Sequence, residues 1–440
     1  MLSVSTEVKW AMDNAIDKIL FESDKYVANP GRDFTRARTL TLEDTLRFII
    51  GMGGQSLGKE LYDFFKPKGK HISTPAFVQR RAKIKPEAFE EIFHTFNKIT
   101  RHLDEQKYWG YRLYAVDSTA AYCSKNKGSR SYMETVGYNM WQVNALYDLL
   151  NHTYRDVVIE PRNAYNEPRA CITMAERSLA GEKCIVIGDR GYIGLNLFEH
   201  LRRTEGVEYI IRVKNASYKA LSGLPEGEYD GIVHMQVRTT QTKEDKEAYK
   251  AGAAIRIPGP SKFGKQTATA VQWDFESPCD LDLRVVRFWI NDDTYETIIT
   301  SLPAAMFPAE KIKELYNLRW GIETSFRELK YDVGLVNFHA KKDESVLQEI
   351  LAHILMFNFC ERIAMSVVIV KDAGNKWTYA INRTIAVHIC IDFFRFSGVS
   401  PPGPTPEEAI EKNLLPVRPG RKDLRKSNVR RPVYFIYRVA

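Results

Sequence analysis

Along the first 105 residues, apolar side chains recur at three- and four-residue spacing, the period of amphipathic helices that turn one face to a core. Start and stop signals agree with that period. Thr41 precedes LEDTLRFII as an N-cap would, Pro75 and Pro86 suit first-turn positions, and Gly51, Gly53 and Gly54 interrupt the pattern before SLGKELYDFF. From Tyr111 the texture becomes that of strands: YRLYAVDS, then WQVNALYDLL and TYRDVVIE, a helical run PRACITMAERSLA, and the apolar stretch KCIVIGDRG. Strands alternating with a helix predict a mixed α/β layer structure. EYIIRVK then leads into a turn-rich succession of short strands, AAIRIPG, TATAVQWDF, LRVVRFWI and ETIITSLP, which reads as an inserted β-rich subdomain. Helical periodicity returns in PAEKIKELYNLRWGIETSFRELKY and persists up to the Pro-rich SPPGPTPEE. The pattern divides the chain into a helical domain over 1–105, a first part of an α/β core over 106–215, a β-rich insertion over 216–300, a second part of the core over 301–370, and a helical C-terminal region with a basic tail over 371–440.

Composition sharpens this picture in two places. With 44% hydrophobic residues in a 440-residue chain there is ample material for packed cores, which excludes a disordered or fibrous protein. The net charge of +8 is modest, but its distribution is uneven. Residues 418–438 carry eight Lys and Arg against the single acid Asp423, and residues 66–85 carry seven Lys and Arg. Both segments are candidates for phosphate contact, with Arg80, Arg81 and Lys83 as the candidate DNA-binding residues of a helical module; a solvated tail and an ordinary packing helix are the plainer readings. The connection before TPAFVQRRAKIK is longer than that of a true helix-turn-helix. Six cysteines lie far apart with no CxxC pair and no zinc spacing, so free thiols and a reducing, cytoplasmic setting are expected. The N-terminus lacks the pattern of a signal peptide, and the apolar stretch from Glu349 is broken by Glu361 and Arg362, as in a buried helix and not a membrane span.

Three acidic residues stand out chemically. Asp117 closes the run LYAV and Asp189 closes CIVIG, positions at strand ends where rigid backbone suits a metal ligand, although a turn or cap role is the commoner fate of such an aspartate. On the helix expected over 308–332, Tyr316, Arg319, Glu323, Arg327 and Lys330 fall within about 80° of one another, with Leu315, Leu318, Ile322, Phe326 and Leu329 on a separate apolar stripe. Taken alone, Arg319 and Glu323 read as a solvated pair worth a few tenths of a kcal/mol.

Tyr316, Arg319, Glu323 and Lys330 spell Y-x2-R-x3-E-x6-K, and through them the chain resembles the insertion-sequence-four family of bacterial DDE transposases. Asp117, Asp189 and Glu323 follow in the order of that family, with the β-rich stretch between the second and third. The resemblance implies a ribonuclease-H-like catalytic core interrupted by a β-rich insertion, and cut-and-paste excision and strand transfer of an insertion sequence. It implies two Mg²⁺ ions, replaceable by Mn²⁺, held by Asp117, Asp189 and Glu323, with Asp117 shared by both. Tyr316, Arg319 and Lys330 would hold the element's end, and Arg190 is a further phosphate candidate. Partners would be double-stranded DNA, as terminal inverted repeats and target, and a second copy of the chain in a nucleoid-associated homodimer. The family places a tryptophan just upstream of a TSxP-like segment; before Thr300, Ser301 and Pro303 this chain has Tyr295 and Glu296, leaving Tyr295, Trp273 or Trp289 as candidates for base stacking. A metal-dependent nuclease that does not join DNA and a transposase-derived repressor are the alternatives.

Overall fold

Ser3, Thr41 and Ser73 accept hydrogen bonds from the backbone N–H groups of Thr6, Asp44 and Ala76, so three N-terminal helices begin where a side chain takes up an otherwise unpaired donor. The computed structural model describes residues 3–36, 38–214, 217–259, 272–291, 294–369, 377–396 and 403–417. Its helical first part comprises α1 (Val4–Phe21), α2 (Ser23–Tyr26), α3 (Leu42–Ile50), α4 (Leu57–Phe65), α5 (Thr74–Arg81) and α6 (Glu87–Ile99). The basic tail at 418–438 lies outside the described residues.

Next come β1 (Arg112–Cys123), β2 (Tyr132–Met133), β3 (Tyr138–Asp148) and β4 (Thr153–Pro161), followed by α7 (Glu167–Ser178), β5 (Cys184–Gly188), α8 (Leu195–Arg203) and β6 (Val207–Val213). β3 pairs antiparallel with both β1 and β4, whereas β5 runs parallel to β1 and β6 parallel to β5. The two parallel steps use α7 and α8 as crossovers, as parallel pairing requires. Successive β1 side chains face opposite layers: Leu113 and Ala115 join the core shared with the N-terminal helices, and Tyr114 and Val116 join a second core under α7 and α8.

The stretch expected as an inserted subdomain contributes α9 (Lys219–Ser222), β7 (Tyr229–Arg238), α10 (Lys243–Ala251), β8 (Ala254–Arg256), β9 (Cys279–Asn291) and β10 (Thr294–Thr300). Its strands extend the same sheet, because β10 pairs with the edge of β6 and is followed outward by β9, β7 and β8. Pairing with β6 removes an exposed edge from the central sheet and yields one sheet of ten strands. Of the expected strand TATAVQWDF only 272–275 is described, and that part is not strand.

The chain then forms α11 (Ala309–Asn317), α12 (Trp320–Glu328), α13 (Asp343–Met365), β11 (Thr378–Ala380), α14 (Arg383–Arg395), α15 (Pro406–Glu411) and β12 (Leu415–Val417). α13 is the broken apolar run of the sequence, and it is buried along nearly its whole length. It packs against α1, α3, α6, α14 and β4, so the N-terminal helices and the sheet share one hydrophobic cluster. Its internal charges are paired, Arg362 with Asp104 at 2.6 Å and Glu361 with Arg383. Among the described residues no helix is long and apolar enough to cross a membrane.

Candidate active site

Asp117 lies in the middle of β1 and not at its end, but β5 stops beside it. Val116 is paired with Gly188, the last residue of β5, so Asp117 and Asp189 follow side by side on neighbouring parallel strands. Each carboxylate is held by local backbone: Asp117 Oδ1 accepts from the Ser118 N–H at 2.7 Å, and Asp189 Oδ1 accepts from the Gly191 N–H at 2.7 Å. Both keep further lone pairs free for a ligand.

Glu323 approaches from α12 through Arg319. The guanidinium stands 2.8 Å from Glu323 Oε1 and 3.7 Å from Asp117 Oδ2, bridging the helix to the sheet. Arg319 is only 7% exposed, and its Nε has no hydrogen-bond partner. Burial pushes the Asp117 carboxyl up to about 7, with the charges of Asp189 and Glu323 adding to the rise and the Ser118 N–H and Arg319 opposing it. Asp117 is thus a buried carboxyl that feels the charges of both other acids and is only partly compensated. Among the described residues no three His, Cys, Asp or Glu side chains converge tightly enough to hold a metal ion. The donor set still fits a hard divalent cation, since it is made of oxygens and its most buried member lacks full compensation.

The segment expected as one helix over 308–332 is interrupted. α11 ends at Asn317, the Gly321 and Ile322 N–H groups bond to the Leu318 and Arg319 carbonyls in a tightened turn, and 329–333 winds into a π-turn. Gly321 lies close to the end of β3, where a Cβ would come within 2.8 Å of Leu149 Cδ2 and the leucine side chain would have to shift to admit it. Arg319 and Glu323 remain together despite the break. Tyr316 is buried beside Arg319, with the guanidinium 5.8 Å from its ring centre, and its hydroxyl makes no hydrogen bond of good geometry. Lys330 falls on the π-turn, half-buried and without an ion pair among the described residues, and burial pushes its ammonium down. Arg190 is exposed on the turn after Asp189.

The basic N-terminal candidates separate. Arg80 and Lys83 line a groove of about 780 Å³ together with Arg32, Arg36, Arg38 and His71, and no acid lines it. Arg80 stacks over Phe34 at 4.1 Å and donates to the Leu40 carbonyl, while Lys83 bonds to Asp33 at 2.6 Å. Arg81 turns inward: it is 2% exposed and holds Glu349 at 2.6 Å, Gln348 and the Ser345 carbonyl on α13. It presents nothing to solvent. The sequence reading passed over Arg32, Arg36 and Arg38, although GRDFTRAR sets three arginines in seven residues.

Of the stacking candidates, Trp273 is fully buried and donates to the Glu276 carbonyl, which makes it a core residue. Trp289 and Tyr295 meet on the β9–β10 hairpin with ring centres 5.5 Å apart. Trp320, also passed over in the sequence, is 63% exposed beside Arg319.

The fold is thus a mixed α/β sheet with two aspartates on adjacent strands and a glutamate on a later helix, flanked by cations. The chain belongs to the family described as Transposase DDE domain, whose sequence model matches residues 108–359, more than half of its length. That span holds all three carboxylates. Solved structures that match include the cryo-EM structure of a piggyBac transposase synaptic complex with hairpin DNA, at 13% identity and a TM-score of 0.42 over 96% of this chain and 84% of that one. No curated protein matches.

Proposed function

We propose that this chain is a cut-and-paste transposase of the insertion-sequence-four type, acting as a homodimer on terminal inverted repeats and target DNA in the bacterial nucleoid. Its membership of the DDE transposase family supplies the frame; the observation that carries the reading is the bridge from Asp117 through Arg319 to Glu323, with Asp189 aligned beside Asp117 by the β1–β5 register. The order of these elements, a first aspartate in β1, a second at the end of the strand after α7, and a glutamate beyond the β-rich stretch, supports a ribonuclease-H-like core.

Asp117, Asp189 and Glu323 would hold two Mg²⁺ ions, with Asp117 shared. When bound, such ions supply Lewis-acid activation of the attacking and leaving oxygens of a phosphodiester. The chain's own residues do the positioning. Arg319 ties Glu323 to the neighbourhood of Asp117 and brings a positive charge to the place where a phosphate of the bound end would lie. Lys330 brings a partly desolvated cation, which interacts strongly with an anion, and Tyr316 backs the Arg319 guanidinium with its ring. Trp320 presents an exposed indole face on which a displaced base can stack. The groove around Arg36, Arg38 and Arg80 grips the backbone of the same end.

The test incubates the purified chain with labelled element-end DNA, Mg²⁺ and a supercoiled target. Cleaved 3′ ends joined to target are expected. Cleavage without joining on every target would favour a nuclease, and binding without cleavage a repressor. A second outcome concerns the grip: replacing Arg36, Arg38 and Arg80 by Gln should flatten the slope of log K against log salt by up to about 0.9 per lost contact. A slope identical to the parent's would remove the groove from the DNA-binding surface.

A further inference from the structure

A fourth carboxylate lies next to the neighbours of both aspartates. Glu167 stands in the first turn of α7, and its Oε1 accepts from the Ser118 hydroxyl at 2.5 Å, one residue from Asp117. The Ser118 oxygen in turn accepts from Gln142 Nε2 at 2.6 Å, and Gln142 Oε1 accepts from Arg162 at 2.9 Å. Every donor in this chain points toward Glu167, which polarises it in favour of the anion. The other oxygen, Oε2, lies over Gly191: a Cβ there would stand 2.5 Å from it and 3.1 Å from Asp189 Oδ1. Glu167 and Asp189 therefore flank the space beside Gly191 that a side chain there would enter. The hydroxyl of Tyr192 is fully buried without a hydrogen-bond partner, within electrostatic reach of Asp117, Glu167 and Asp189. Such a group marks a polar interior that the protein alone leaves unsatisfied.

We propose that Glu167 is a positioning residue of the acidic site, holding the backbone next to Asp117 through Ser118 and placing Oε2 beside Asp189, where it is offered to the hydration shell of a bound divalent cation. The inference rests on the reading of the two aspartates as metal ligands. Partners of this kind orient the groups that hold a metal, and their loss characteristically weakens metal binding by about 10–100-fold.

Mn²⁺ binding to the full chain, followed by the free-ion electron paramagnetic resonance signal with and without element-end DNA, provides a readout independent of turnover. Glu167→Ala should weaken Mn²⁺ binding by about 10-fold or more and raise the Mg²⁺ concentration for half-maximal cleavage, with melting temperature in EDTA and DNA affinity close to the parent's. Glu167→Gln should fall between the two, and Ser118→Ala should shift binding in the same direction. Glu176→Gln, which removes a carboxylate from the exposed side of α7 next to His200, should change nothing. If Asp117→Asn abolishes Mn²⁺ binding while Glu167→Ala and Glu167→Gln bind like the parent, the role of Glu167 is overturned and the ligand assignment stands. If the parent itself binds no Mn²⁺ in either condition, the ligand assignment fails and takes this inference with it. Should Glu167→Ala not fold, the Gln and Ser118 variants decide by the same criterion.

Discussion

Asp117→Asn, Asp189→Asn and Glu323→Gln should each lower strand cleavage by at least two to three orders of magnitude, on the order of the loss that follows removal of a single group stabilising a transition state. Each substitution keeps the shape of the side chain and removes the charge that a hard cation requires. DNA affinity should survive, because the basic groove and the strand-borne site are separate parts of the fold. For Asp117 the same change carries a second, opposite effect. Its carboxyl titrates near 7 in the folded chain against an ordinary 3.8, so the folded state retains a proton that the unfolded state releases between those values, and the contribution of this group to stability falls as pH rises from about 4 to 7. Above pH 7 the buried carboxylate costs the metal-free protein on the order of a few kcal/mol. Asp117→Asn should therefore melt above the parent in EDTA at pH 8, with the gap closing toward pH 4. Parent-like cleavage by any of the three variants would end that residue's catalytic role, and an Asp117→Asn protein that melts lower at pH 8 would show that the carboxylate is not under strain.

Arg81→Ala should destabilise the fold by about 3–5 kcal/mol, the usual cost of leaving one member of a buried ion pair alone. Glu349 keeps the His339 N–H on its Oε2 at 2.9 Å but loses Arg81 from a site closed to water, and Gln348 and the Ser345 carbonyl lose a donor as well. Arg80→Ala should cost no more than about 1 kcal/mol, as an amphipathic surface group does, and should weaken DNA binding instead. Urea unfolding of the two variants, set against their DNA affinities, separates the roles. A stable Arg81→Ala chain that binds DNA poorly would reverse them.

These neighbouring arginines show how much of the molecule was legible in the sequence. Both belong to one basic segment, and composition cannot tell them apart. Arg81 follows Phe77 by four residues on the inward face of α5, a signal that periodicity contained, but only the arrival of Glu349 from α13 makes burial of a charge tolerable there. Thr41 as a cap, the strands around Asp117 and Asp189, and the buried character of α13 were all readable, because each depends on local period and local hydrogen bonding. Partners were not. Of the strands of 216–300, β8, β9 and β10 could be read in AAIRIPG, LRVVRFWI and ETIITSLP while β7 was missed, and nothing local to them says that β10 pairs with β6. The break before α12 escaped as well, because the apolar stripe of Leu315, Leu318, Ile322 and Phe326 runs across it with the period of one helix. Glu167 reads as an ordinary acid at a helix N-terminus until Ser118 is placed beside it.

The acidic site joins parts of unequal stiffness. Asp117 and Asp189 hang from one ladder of main-chain hydrogen bonds, whereas Glu323 rides on a short helix bounded by a tightened turn and a π-turn. A toolmaker would see a vise: one jaw cast into the frame, which sets the gauge of what can be gripped, and one jaw bolted on. Wear in the bolted jaw leaves the frame intact. A copy of the gene altered only at the codon for the third acid is expected to make a protein that clasps its DNA and never bites, and every end it occupied would be withheld from its undamaged siblings.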